Sequence, residues 1–148
     1  MRGRQDRFRW LWGAGVVALA VGLASCGGGD DAMNRWKDVS TAQVIRQAEP
    51  AEAGYVVFRR RQCHLCHGDA SNSVAPSHHG LWGSEVRLQD GTTVVADEAY
   101  IRESILHSDR QVVAGYKSGQ MANYAGILSD GEIDALVAYI ESIGPGEE

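Results

Sequence analysis

Read for hydrophobic period alone, the chain divides into an apolar run near its start and a set of amphipathic stretches after residue 49. Trp10 to Leu23 is apolar over 14 residues, short of the roughly 20 a bilayer-crossing helix needs. From Pro50, suited to a first helical turn, Ala53, Val56, Val57 and Phe58 return to one side of a helix that closes at Arg59-Arg60-Arg61. Val86 to Val95 alternates as a hairpin, with Asp90-Gly91 supplying the two left-handed positions of a type I′ turn. Asp97 N-caps a helix from Glu98 to about His107, with Ile101 and Ile105 inward. Ser129 and Glu132 form the capping box of a last helix whose buried stripe is Ile133, Leu136, Val137, Ile140 and Ile143. The expectation is a mainly α fold with one short β-hairpin.

The flanks of the apolar run change its meaning. Arg2, Arg4, Arg7 and Arg9 precede it and Leu23-Ala24-Ser25-Cys26 follows it, the order of a signal peptide ending at a cysteine that resembles a bacterial lipobox. The alternative is an ordinary signal or an uncleaved anchor with an incidental cysteine. Under the first reading residues 1–25 are removed and Cys26 carries acyl chains, several of which anchor where one would not. Gly27-Gly28-Gly29-Asp30-Asp31 then reads as a flexible leash, so that 26–48 is a lipid-anchored tether and 49–148 the folded domain. Trp36 and Val44-Ile45 leave room for a short helix within the tether. Of 14 basic and 19 acidic residues, four arginines and one aspartate lie in the signal; the remaining 10 against 18 give a net charge of −8, which disfavours nucleic acid.

Chemistry is concentrated in Cys63-His64-Leu65-Cys66-His67. In an exported chain Cys-x-x-Cys-His is the attachment pattern of a c-type haem: two thiols add to the two vinyl groups, and the histidine beside the second cysteine ligates the iron. A structural zinc site needs a second ligand pair, and the only other cysteine is Cys26. A thioredoxin-like pair wants a βαβ setting. The remaining alternative is chance. With both domain cysteines committed, no disulfide is available. For the iron's other side, Met121 is the only methionine between residues 49 and 148, in the irregular run Gly119 to Tyr124 between two helices. His78, His79 and His107 compete with it; a surface or core methionine is the plain alternative. Trp82 is either a core residue only or, since its indole N–H needs a partner if buried, a partner of a haem propionate. Arg59, Arg60 and Arg61 are either a solvated helix end or a basic collar at the haem edge.

These residues together resemble a monohaem c-type cytochrome, nearest to the cytochrome c domain fused to subunit II of some bacterial haem-copper oxidases, here as a free-standing lipoprotein. The resemblance runs from about Glu49 to Ile143. It is carried by the haem motif, Ala75-Pro76, Gly80-Leu81-Trp82-Gly83, Asp90 to Val94, Asp97 to Leu106, Val113 to Tyr116 and Leu136 to Ile140. It implies one covalent haem in a small helical fold, with the Pro76 carbonyl accepting from His67 and Gly54 sitting where the first domain helix crosses the last, beneath Tyr139. The chain departs from it in lacking a copper-binding domain and in having Ala122 where the family usually places proline after the ligand methionine. The function implied is electron transfer outside the cytoplasm, to or within an oxidase or quinol-oxidising complex. The alternative is an enzyme or sensor, a peroxidase or gas binder, with an open sixth site.

Overall fold

The computed structural model describes residues 28–144. Residues 1–27, with the expected signal peptide and Cys26, and residues 145–148 lie outside the described residues. Five helices and one two-stranded antiparallel sheet follow one another as α1 (Gly28–Trp36), α2 (Thr41–Gln47), α3 (Pro50–Arg60), β1 (Glu85–Arg87), β2 (Thr93–Val95), α4 (Glu98–Leu106) and α5 (Asp130–Ser142), with a single 3₁₀ turn at Cys63–Leu65. The mainly helical class with a small hairpin is the one read from the sequence.

The frame is the crossing of α3 and α5. A β-carbon on Gly54 would lie 1.9 Å from the Ala135 carbonyl oxygen and 2.6 Å from the Tyr139 β-carbon. Only glycine lets the two backbones come this close. Tyr139 covers the crossing, its ring 5.2 Å from that of Phe58 and 5.6 Å from that of Tyr55. Ser129 and Glu132 close the capping box at the head of α5, and Ile133, Leu136, Val137 and Ile140 are buried along it. Asp97 accepts from the Tyr100 N–H at 2.9 Å and starts α4 as expected.

Residues 28–47 depart from the leash expected of them. They form α1 and α2, docked against α3. The Ser40–Gln43 capping box starts α2, and Val44 is fully buried against Ala53, Val56 and Ala135. Burying one valine contributes about 1.5–3 kcal/mol, which holds in place a seven-residue helix that is marginal alone. The Trp36 indole donates to Glu52 at 3.0 Å, Arg35 pairs with the same carboxylate at 2.7 Å, and Arg60 binds Thr41 at 3.1 Å and the Trp36 carbonyl. Gly- and Asp-rich composition hid this segment, because its stability comes from docking rather than from its own propensity.

The hairpin has the expected strands, paired Glu85 with Val95, Val86 with Val94 and Arg87 with Thr93, but a different turn. Gly91 is left-handed at φ 87° and Asp90 is not. Asp90 instead accepts from the Thr92 N–H at 2.9 Å and the Thr92 hydroxyl at 2.6 Å. With Gly91 N–H bonded to Leu88 O and Leu88 N–H to Thr92 O, the loop is the three-residue kind with one left-handed position. Beyond the hairpin, Leu88 bridges to Val113, which lays the segment leading to Met121 along the sheet.

Candidate functional site

The motif begins with a backbone reversal. Gln62, directly after α3, is the one non-glycine among the described residues at positive φ, 62°. This left-handed step is costly for a residue with a β-carbon. It turns the chain from α3 into the 3₁₀ turn, where Cys66 N–H and His67 N–H both bond to the Cys63 carbonyl at 3.2 and 2.9 Å. Cys63 is half-buried and Cys66 exposed, and neither is in a disulfide. Burial pushes the Cys63 thiol up, against the pull of a backbone bond and of Arg61.

The stretch after the motif reads as loop and is organised by Asn72. Its amide donates to Cys66 O at 3.0 Å, and its carbonyl oxygen accepts from Val74 and Ala75 N–H at 2.8 and 3.1 Å. This knot brings Pro76 under the motif, where its carbonyl lies 2.8 Å from His67 Nδ1. A carbonyl can only accept, so Nδ1 carries the proton and Nε2 presents its lone pair. Burial lowers the His67 pKa, the Pro76 bond opposing it. The neutral ring is the ligating form, and the carbonyl behind it fixes its orientation and raises its basicity.

His78 stacks on His67, ring centroids 4.1 Å apart and planes at 23°. Burial, with the fields of His67 and His79, pushes its pKa down to about 3, and it is neutral near pH 7. His78 therefore lies beside His67 rather than across from it. His107 caps α4, its N–H on Glu103 O at 2.7 Å.

Cys63, Cys66, His67 and Met121 all line one cavity of about 630 Å³, in the range of cofactor sites. Leu81, Val86, Ile101, Ile105, Leu136 and Ile140 supply apolar walls. Ser104 and Gln111 also line it, their Oγ and Oε1 buried without hydrogen-bond partners in the protein. Two thiols, an oriented imidazole and a thioether in one large apolar cavity are the donor set a c-type haem requires, so the residues fit that group. Among the described residues no cluster of three or more His, Cys, Asp or Glu side chains is placed to hold a bare metal ion.

Two readings left open along the chain meet the structure here. Trp82 does not line the cavity; it packs on the main core. Gly80 and Gly83, left-handed at φ 66° and 76°, bend this segment so that Leu81 lines the cavity instead. Of the three arginines, Arg61 is exposed and pairs with Glu132 at 2.6 Å, Arg60 holds the α1–α2 segment, and Arg59 is exposed at the helix end. Sequence reading missed Gln62, Asn72 and His78 as structural supports of the site. The left-handed step before the motif has no residue signature, and the two polar side chains act across distances that period does not report.

Comparison with known proteins decides the family. The family model described as cytochrome c oxidase, cbb3-type, subunit III, matches residues 49–140. The chain belongs to this family of c-type cytochromes. A curated relative, the dihydro-heme d1 dehydrogenase of Pseudomonas aeruginosa, is 34% identical over 100 residues. The match covers 68% of this chain and 17% of the relative, so the cytochrome corresponds to a small part of that protein. The family implies haem c and electron transfer, and Cys63, Cys66, His67 and Met121 lie together in the cavity bounded by the 3₁₀ turn, α4, α5 and the segments between them.

Proposed function

We propose that the chain binds one covalent haem c and works as a single-electron carrier on the extracytoplasmic side of the cell envelope, tethered through Cys26. The observation that supports this best is the convergence of Cys63, Cys66, His67 and Met121 on one apolar cavity, with the His67 tautomer held by Pro76. When bound, haem supplies a one-electron ferric–ferrous couple. The chain's part is to hold it and set its environment. Cys63 and Cys66 provide two thioether links from a turn already closed by backbone bonds. His67 Nε2 would be one protein ligand to the haem iron and the Met121 thioether the other, a soft donor that would favour the reduced form and raise the potential. With both supplied by the chain the site would be closed to substrate, and its apolar walls would exclude water. The partners are redox proteins, an oxidase or a quinol-oxidising complex. No helix among the described residues is long and apolar enough to cross a membrane; membrane attachment rests on the lipobox-like Leu23 to Cys26.

A reduced-minus-oxidised spectrum of the purified protein tests the core of this reading, with haem that stays on the polypeptide through acid–acetone extraction. Extractable haem sinks it. Mass spectrometry of the membrane-bound protein tests the tether, and an unmodified Cys26 at the N-terminus overturns it. A second reading takes its support from the dehydrogenase relative, in which a segment like this one forms 17% of the chain: the cytochrome as the electron-accepting module of a periplasmic dehydrogenase. Co-purification from solubilised membranes separates the two by the partner recovered.

A further inference from the structure

The segment that carries Met121 is held in an unusual way. From Lys117 to Asn123, among the described residues, no backbone N–H or C=O takes part in a backbone–backbone hydrogen bond; the flanking bonds are Tyr116 N–H to Val113 O and Tyr124 N–H to Ile105 O. Within the segment one tie is local, from Lys117 N–H to the Gln120 side-chain oxygen at 3.2 Å. The ties that reach another part of the fold converge on Ser108, just past the end of α4. Its hydroxyl lies 2.7 Å from the Met121 carbonyl oxygen and 2.9 Å from Asn123 Oδ1, and its N–H donates to Asn123 Oδ1 at 2.7 Å. The hydroxyl has one proton for two acceptors, and the shorter contact assigns it to Met121. Met121 is thus gripped at its own carbonyl and two residues on, from the turn that follows α4, whose Ile101 and Ile105 line the cavity.

We propose that Ser108 and Asn123 are positioning residues that hold the Met121 thioether on the iron, so that this clasp sets how readily an outside ligand displaces it. The inference rests on Met121 being the sixth ligand. Each hydrogen bond of this kind contributes about 1 kcal/mol net, or roughly a fivefold change in the on–off equilibrium of the sulfur. Loss of the clasp leaves the cavity, the haem links and His67 as they are and frees the segment between Tyr116 and Tyr124.

The test uses the full-length ferric holoprotein, titrated with imidazole and followed by the weak near-infrared sulfur-to-iron band. Ser108→Ala should bind imidazole roughly 5–10-fold more tightly than wild type, and Asn123→Ala at least as much. In both the band should fade at a lower temperature while the helical circular dichroism holds to its wild-type midpoint. Ser108→Thr, which keeps the hydroxyl, and Asn123→Asp, which keeps the acceptor oxygen, should return toward wild type. A merely structural role would move the band and the helical signal together. If Ser108→Ala and Asn123→Ala match wild type in imidazole affinity while Met121→Ala binds it far more tightly, the clasp is overturned and the ligand reading stands. If Met121→Ala leaves spectrum and affinity unchanged, the ligand reading falls and the clasp with it.

Discussion

His67 enters the cavity on a segment closed by backbone bonds to Cys63 and backed by a backbone carbonyl, whereas Met121 enters it on seven residues without one backbone–backbone bond. The two sides of one site are therefore held by different physics. On the proximal side the supports are contiguous: Gln62 turns the chain, the 3₁₀ turn sets the thiols, Asn72 ties the loop, and Pro76 and His78 flank the imidazole. On the Met121 side the supports are two side chains, Ser108 from the turn after α4 and Asn123 from the segment itself. Contiguous backbone support is hard to perturb by one substitution; a side-chain clasp is not. The comparison predicts a rigid ligand facing a labile one.

The largest effect should come from removing the covalent hold. Cys63→Ala with Cys66→Ala should leave apoprotein, or haem that acid–acetone extracts, because both links issue from the same turn. Retention of unextractable haem in the double variant would mean the turn is not the attachment site. Next comes the distal ligand. Met121→Ala should open the site to carbon monoxide, which the wild type resists. Met121→His should lower the potential by a measurable part of the roughly 0.8 V over which axial ligation and surroundings move haem couples. A potentiometric titration showing no change would remove Met121 from the iron.

How far the sequence disclosed each side follows from the same physics. Cys63, Cys66 and His67 are legible because the chemistry fixes their spacing, and Ser129–Glu132 and Asp97 are legible because caps are local. Gly54 could be placed only through the resemblance to the c-type cytochromes, and the close crossing explains why glycine stands there. Met121 could be singled out only by elimination, and Ser108 and Asn123 not at all, since their 15-residue separation carries no period. The docked helices at 28–47 escaped for a related reason: Val44 is buried by α3 and α5 rather than by a stripe within its own helix.

Two further substitutions sharpen the contrast on the proximal side. Gly54→Val should destabilise the fold by about 3 kcal/mol or more, since overpacking usually costs 1–3 and here the new atoms meet backbone at 1.9 Å. Thermal unfolding of the holoprotein measures this, and a change below about 1 kcal/mol would mean that the helices separate freely. Glu132→Gln should cost less, about 1–2 kcal/mol, through a weakened cap and a lost charge pair. Burial alone would raise the Glu132 carboxyl, but its bonds from Ser129 and Arg61 outweigh this and hold it below its ordinary value. A depressed folded-state pKa gives stability that is fully present above the unfolded value, about 4.3, and is lost as pH falls through the folded one. The gap between wild type and Glu132→Gln should therefore begin to shrink as pH falls below about 4.3 and close through the lower folded-state value; a constant gap down to pH 2 would show that shape, not charge, is what Glu132 contributes.

The smallest effect tests the distal segment from the other direction. If it is loose because nothing in its backbone is bonded, stiffening it should tighten the methionine without touching the clasp. Ala122→Pro does this at little cost, because the Ala122 N–H makes no hydrogen bond among the described residues and Met121, before it, is in neither helix nor strand. Proline restricts the preceding residue to extended conformations and removes freedom from the displaced state, an effect of about 0.4–1 kcal/mol where the native backbone accepts it. Imidazole should bind two- to fivefold more weakly than to wild type, and the near-infrared band should persist to higher temperature. Combined with Ser108→Ala, the proline should recover part of the lost affinity gap, since both act on the same on–off equilibrium of the sulfur. Tighter imidazole binding by Ala122→Pro would mean that the segment between Tyr116 and Tyr124 already holds a backbone geometry that proline breaks, and that its lack of backbone bonds is no measure of its mobility.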